Sequence, residues 1–225
     1  MFKYETHLHT AECDLCAHVR AADAVRMYRD AGYSGMVVTD HYFALLQEWF
    51  KGDLADDSHK TFIDRWLRGY RAAREEGERL GFTVLLGTEV RFDGPSINDY
   101  LVYGLTEEFF YRAPLLNRLT GLDELLSLLP PEALVVQAHP FRDKMTVADP
   151  TRLFGIEVHN GGTDEKRNAL AALFAAQYGK APLSGSDFHE AKHLARGGIA
   201  TETPIKSSAD LLSVLKSGAY TLLTK

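Results

Sequence analysis

Short apolar runs alternate with amphipathic stretches along the whole chain. Seven of the runs have strand length: Tyr4–His9, Met36–Asp40, Thr83–Val90, Tyr100–Leu105, Leu134–Ala138, Gly155–His159 and Pro182–Ser186. Met36-Val37-Val38 and Leu134-Val135-Val136 are continuously apolar rather than alternating, the pattern of strands buried on both faces, as in a parallel sheet covered by helices. Between them, Ala21–Ala31, Thr61–Leu80, Asp164–Tyr178 and Ala209–Lys216 carry apolar residues at helical spacing. Gly32, Gly179 and Gly218 stand where these helices should stop, and Ser207-Ser208 where the last should start. Gly94-Pro95-Ser96 and Pro130-Pro131 are expected turns. No repeat, low-complexity tract or linker interrupts the pattern, so one domain over residues 1–225 is expected. Repeated strand–helix units in a chain of 225 residues favour a small α/β barrel or an open parallel sheet.

The strand ends change the picture. Strand one ends in His7-Leu8-His9, strand two in Asp40-His41 and strand three in Glu89. Strand five ends in His139-Pro140, strand six in His159-Asn160 and strand seven in Asp187-Phe188-His189. In a parallel α/β fold these ends converge on the face where barrel active sites form. Residues i and i+2 of an extended segment point to the same side, so His7 and His9 can reach one ion together, as can Asp187 and His189. Imidazole and carboxylate suit zinc, manganese or iron, and Glu89 has two oxygens with which to bridge two ions. His59 and His193, in polar helical or loop sequence, are expected to be partly buried, hydrogen-bonded residues rather than ligands, and His159 is expected to face the site, either as a ligand or only as lining.

The ordered set His7-Leu8-His9-Thr10, Thr39-Asp40-His41, Gly87-Thr88-Glu89, Ala138-His139-Pro140 and Gly185-Ser186-Asp187-Phe188-His189 resembles the PHP (polymerase and histidinol phosphatase) domain family, over essentially the whole chain. The resemblance implies a distorted, TIM-like (β/α)7 barrel with two or three divalent ions (Zn, Mn or Fe) at the C-terminal ends of its strands. It assigns His7, His9, Glu89 and Asp187 to the first ion, Glu89 and His139 to the second, and His41 and His189 to the third. Two positions depart from the family pattern. Where a further His commonly follows the opening motif, this chain has Cys16, seven residues after His9, and His18, nine after it. Where a His often supplies the second ion from strand four, it has Asn98 and Asp99.

The implied activity is hydrolysis of a small phosphomonoester or phosphodiester by a hydroxide held between the ions. Asp187 is the candidate proton shuttle, and His41 or His189 the candidate proton donor to the leaving group. Arg142 and Arg196 are the preferred phosphate clamps, because a guanidinium grips phosphate bidentately. The alternatives are an amidohydrolase-type C–N hydrolase, against which the lack of a Lys near the relevant strand end counts, and a non-catalytic metal-binding module with a degenerate site. The formal net charge of −6 and the lack of a basic stripe argue against long nucleic acid. No apolar run reaches membrane-spanning length and no signal-peptide core opens the chain, so a cytoplasmic protein with no membrane partner is expected. Cys13 and Cys16 form a lone C-x-x-C, for which a structural disulfide is not expected. The Phe43–Asp57 stretch is an insertion placed to lid the site or carry specificity.

Overall fold

The computed structural model describes residues 1–56, 58–92 and 97–225; the expected Gly94-Pro95-Ser96 turn and Asp57 lie outside them. Among the described residues ten strands run β1 (Phe2–Leu8), β2 (Gly35–Val38), β3 (His41–Tyr42), β4 (Thr83–Arg91), β5 (Asp99–Tyr103), β6 (Leu134–Gln137), β7 (Gly155–Asn160), β8 (Ala181–Gly185), β9 (Gly197–Thr201) and β10 (Thr221–Thr224). The helices are α1 (Ala21–Asp30), α2 (Leu46–Trp49), α3 (His59–Trp66), α4 (Arg68–Leu80), α5 (Glu107–Arg112), α6 (Leu122–Leu128), α7 (Glu165–Gln177) and α8 (Ser208–Ser217). All seven expected strands are present within a few residues of their predicted bounds, in a nearly closed, barrel-shaped sheet of order β10-β9-β1-β2-β4-β5-β6-β7-β8, with the short β3 beside β4.

Strand direction differs from the all-parallel expectation. The β1–β2, β2–β4, β6–β7 and β7–β8 pairs are parallel, but β5 runs antiparallel to both β4 and β6, and β9 runs antiparallel to β1 and β10. The reversal of β5 matters for the site. The start of that strand, Asp99, lies at the end where its parallel neighbours finish. Adjacent residues of β2 feed opposite sides: Val37 joins one apolar cluster with Leu101, Val136 and Leu183, while Met36 and Val38 join another with α1 and Phe188. That is the two-faced burial its apolar run predicts.

The barrel is drawn shut between β1 and β8 by a buried carboxylate. Glu5 Oε1 accepts the backbone N–H groups of Thr6, His7 and Ser186, each at 2.9 Å, and Glu5 Oε2 accepts the Tyr28 hydroxyl at 2.8 Å. Burial raises the Glu5 pKa against these donors. Gly185 lets β8 come this close, since a Cβ there would overlap that of His7.

The helix expected over Thr61–Leu80 is broken at Leu67 into α3 and α4. The break sits where the Trp66 indole donates to the His41 carbonyl at 2.9 Å and where Gly69 is pressed against Thr10 and Asp40. Tertiary packing overrides a continuous periodicity here. The caps follow their side-chain chemistry: Ser58, Thr106, Asp164 and Ser207 each accept a first-turn N–H, and Gly81 and Gly218 close α4 and α8 in the left-handed conformation.

Candidate metal centre

At the end of the barrel where β1, β4 and β8 finish, five imidazoles surround two carboxylates. Register places them: His41 of β3 is the direct partner of Glu89 of β4. The Glu89 carboxylate lies among four rings, with Oε1 3.3 Å from His7 Nε2 and 3.1 Å from His139 Nε2, and Oε2 3.3 Å from His9 Nε2 and 3.0 Å from His41 Nε2. Asp187 Oδ1 stands 3.5 Å from both His7 Nε2 and His9 Nε2, and His189 completes the group, its ring stacked on that of His9. Both His139 and Asp187 have positive φ, at 30° and 52°, a conformation non-glycine residues seldom adopt and one that collects at functional sites.

An outer layer fixes the rings. Glu157 Oε1 holds His7 Nδ1 at 2.8 Å, and Asp14 Oδ2 holds both His9 Nδ1, at 2.8 Å, and His41 Nδ1, at 2.9 Å. A carboxylate on Nδ1 selects the tautomer whose Nε2 carries a lone pair toward the centre, the usual second-layer device of histidine metal ligands. Among the described residues, His7 Nε2 and His9 Nε2 are buried without a hydrogen-bond partner. Two ligand atoms sharing one ion at about 2.0–2.2 Å are themselves about 3.0–3.6 Å apart. The separations around Glu89 and Asp187 fall in that range, and the triads His7–His9–Glu89, His7–His139–Asp187 and His9–His41–His189 each offer three donor atoms within 4.8 Å of one another. The residues therefore fit divalent metal, and the donor set suits zinc, manganese or iron.

The charge balance agrees. Burial alone would lower the pKa of His7, but Glu157, Glu89 and Asp187 hold it well above the ordinary imidazole value; Asp14, Asp187 and Glu89 do the same to His9. Glu89 and Asp187 are held well below the carboxylate range, despite burial, by the histidines around them and, for Asp187, by Arg142. His189 goes the other way: burial, with cationic His9 nearby, pushes it down to about 4. In the metal-free chain, protons on imidazoles thus occupy the place of positive charge that a cation can take.

Other predicted residues divide. Asp99 is fully buried with Oδ2 3.8 Å from His139 Nε2, but both its oxygens are engaged by the Arg91 guanidinium. Cys16 lies exposed at the rim, Sγ 4.0 Å from His41 Nδ1. The His18 ring is exposed, and only its backbone N–H reaches the site loop, at the His189 carbonyl. Arg142 lines the cavity and binds Asp187, Asn160 and Thr163. Arg196 does not line it and donates to the Gly161 carbonyl. His159 also points away, toward the Arg196 carbonyl at 2.9 Å, because a register irregularity between Glu157 and His159 breaks the two-residue alternation. His59 bonds the Phe110 carbonyl, and His193 the His189 N–H and Glu190.

Asp14, Glu157 and Arg91 are absent from the sequence-based expectations. Arg91 was within reach of them, since it stands two residues after Glu89 on one strand and obeys the spacing that pairs His7 with His9. Asp14 and Glu157 carried no comparable signal, because their partners are imidazole nitrogens whose orientation only the fold reveals.

Residues 165–220 match the PHP-associated family profile PHP_C. The whole chain superposes on a two-domain protein from Bacteroides vulgatus described as containing a predicted PHP-like metal-dependent phosphoesterase, with a TM-score of 0.66 at 18% identity. That match covers 99% of this chain but only 64% of the Bacteroides protein. The fold is the PHP fold. At the level of fold, the resemblance drawn from the ordered motifs is borne out. The PHP fold does not settle the chemistry. An amidohydrolase from Chromobacterium violaceum shares it (TM-score 0.60, 13% identity, 94% of this chain and 96% of that one), as does Endonuclease Q in complex with a duplex bearing an abasic lesion (TM-score 0.58, 11% identity, 96% and 56%). No curated protein matches the sequence. Among the described residues no helix is long and apolar enough to cross a membrane.

Proposed function

We propose that the chain hydrolyses a small phosphoester with the aid of two or three divalent ions. The observation that carries this reading is the pair of buried, unpartnered Nε2 atoms of His7 and His9, directed at Glu89 and Asp187. His7, His9, Glu89 and Asp187 would hold one ion, Glu89 and His139 a second, and His41 and His189 a third, with Cys16 at its edge. Bound divalent ions would supply Lewis acidity and an activated water.

The chain's own groups do the rest. Arg142 and Arg91 line the cavity; Arg91 is anchored on Asp99 through Nε and Nη2, and Arg142 on Asp187 and Asn160 through Nη2 and on Thr163 through Nε. Among the described residues neither Nη1 has a hydrogen-bond partner, so each guanidinium retains a donor for a phosphate oxygen. Arg91 therefore replaces Arg196 as the second clamp. His189 donates Nδ1–H to the Asp187 carbonyl at 3.0 Å and is neutral at pH 7, which suits its Nε2 to ligation or to accepting a proton rather than to donating one. His41, tied to Asp14, would then be the proton donor where it is not a ligand.

Two guanidiniums and no lysine line the cavity, which favours an anionic ester over the C–N substrate of an amidohydrolase. A cavity of about 310 Å³, together with the net charge of −6, favours a small substrate over duplex DNA. The test is elemental mass spectrometry of protein purified without chelators, followed by a phosphomonoester and phosphodiester panel with the metal found. Stoichiometric metal with phosphate release supports the reading. Metal without turnover on any ester would leave a binding module.

A further inference from the structure

The phosphate clamps and the histidines account for one side of the cavity. The other side is apolar. Phe43, Leu45 and Trp49 line it beside His41 and Arg91, and they come from the segment that follows β3. This segment faces two ways. Leu46 and Phe50 are fully buried in the cluster containing Phe62, Ile63 and Trp66, and they anchor it from below. One position before each, and four apart on the same helical face, Leu45 and Trp49 are directed at the cavity. Leu45 is 53% exposed, so its side chain is open to a ligand entering the cavity. Trp49 meets Phe43 edge-to-face at 4.9 Å, and the Arg91 guanidinium lies over the Phe43 ring at 5.6 Å from its centroid. The shelf is thus anchored from below, walled by aromatic rings and adjacent to a cationic hydrogen-bond donor for phosphate.

Building on the phosphoesterase reading, we propose that Phe43, Leu45 and Trp49 form the leaving-group subsite and select a phosphomonoester whose alcohol carries a single flat, apolar ring. An aromatic ring gains both burial and edge or face contacts on such a wall, whereas a polyol gains neither and loses hydration. The modest cavity volume admits one ring beside the phosphate and little more.

Two phosphonates that cannot be hydrolysed, benzylphosphonate and methylphosphonate, separate the ring from the anion. With the metal-loaded full chain, calorimetry is expected to give about tenfold tighter binding of benzylphosphonate, with the advantage reduced at least about threefold in Leu45→Ser and in Trp49→Ala. Leu45 is exposed, so its variant should keep the wild-type thermal transition. In kinetics, benzyl phosphate and glycerol 3-phosphate have alcohols of similar acidity, so a preference for the former should lie in KM and should vanish in the same variants. Equal affinity for the two phosphonates, or no binding of either, overturns the shelf even if esters are hydrolysed. A benzylphosphonate preference with no ester turned over would keep the shelf and overturn the hydrolytic reading instead.

Discussion

Two dense charge clusters in this molecule look alike in composition and differ in balance. On the outside, where α3, α4 and α5 meet, Arg71 binds Asp64 at 3.0 Å and Glu107 at 2.6 Å, Arg74 adds 3.0 Å to Glu107, and Tyr111 bridges Arg71 and Asp64. Each carboxylate there has its own guanidinium or ammonium partner. Inside, Glu89 and Asp187 sit among imidazoles of which three, His7, His9 and His41, have Nδ1 already committed to Glu157 or Asp14, and the Nε2 atoms of His7 and His9 have no hydrogen-bond partner among the described residues. The outer cluster is complete in itself, so it contributes to stability and nothing more. Beyond Arg142 on Asp187, the inner one acquires positive charge only by binding protons or something cationic. A buried polar group left without a partner costs about 1–3 kcal/mol, so such an arrangement persists where a ligand repays it.

The sharpest way to break that comparison is to remove a ligand of the first ion. Asp187→Ala or His9→Ala is expected to lose at least one metal equivalent per chain and to reduce phosphoester turnover by about a thousandfold or more, measured by elemental analysis and phosphate release. Full activity in either variant would sink the site described above. Asp14→Asn should act one layer out. The histidine rings remain, but the single carboxylate that orients both His9 and His41 is gone, so metal affinity should fall about 10- to 100-fold while the fold persists. A chelator competition series on wild type and variant measures this directly; an unchanged affinity would mean that packing alone orients the rings.

Proton coupling follows with a smaller effect and a definite sign. His7, His9 and His41 all have raised pKa values in the metal-free chain, with burial overcome by Asp14, Glu89 and their neighbours. A raised histidine pKa stabilises the folded apo-chain below the ordinary imidazole value, and that contribution is lost as pH rises through the folded-state value. Ion binding has the opposite trend, since it must displace those protons. Affinity should therefore keep rising with pH above about 6.5, the ordinary imidazole value. Calorimetry in two buffers of different ionisation enthalpy should find at least one proton released per ion at pH 7. No release would show that the imidazoles are already neutral.

How far the sequence foretold this depends on whether a feature is local. Strand existence was legible because apolar runs such as Met36-Val37-Val38 report burial on both faces, and His7, His9, Glu89, His139 and Asp187 were legible because they mark strand ends. Strand direction was not: nothing within Asp99–Tyr103 says that it runs antiparallel to both neighbours, and that reversal is what carries Asp99 to the site. The two-residue strands' worth of pairing at His41–Tyr42 is too short for periodicity to reveal, yet it sets His41 opposite Glu89. His159 shows the converse failure. Its place on the strand was correct, and one irregularity in the ladder turned it outward.

The smallest expected effect belongs to the outer cluster, and it completes the comparison. Glu107 accepts from Arg71 and Arg74 at the first turn of α5, with its side chain 25% exposed. In Glu107→Ala, Arg71 keeps Asp64 and Tyr111, so no charge is left buried and alone. Solvent screens what remains. The loss should be within about 1 kcal/mol, or roughly 2–4 °C in Tm for a chain of this size. Metal content and turnover should not change at all. A drop in bound metal from this substitution would mean that the two clusters are coupled through α3 and α4, the helices whose junction at Leu67 packs Trp66 and Gly69 against His41 and Thr10.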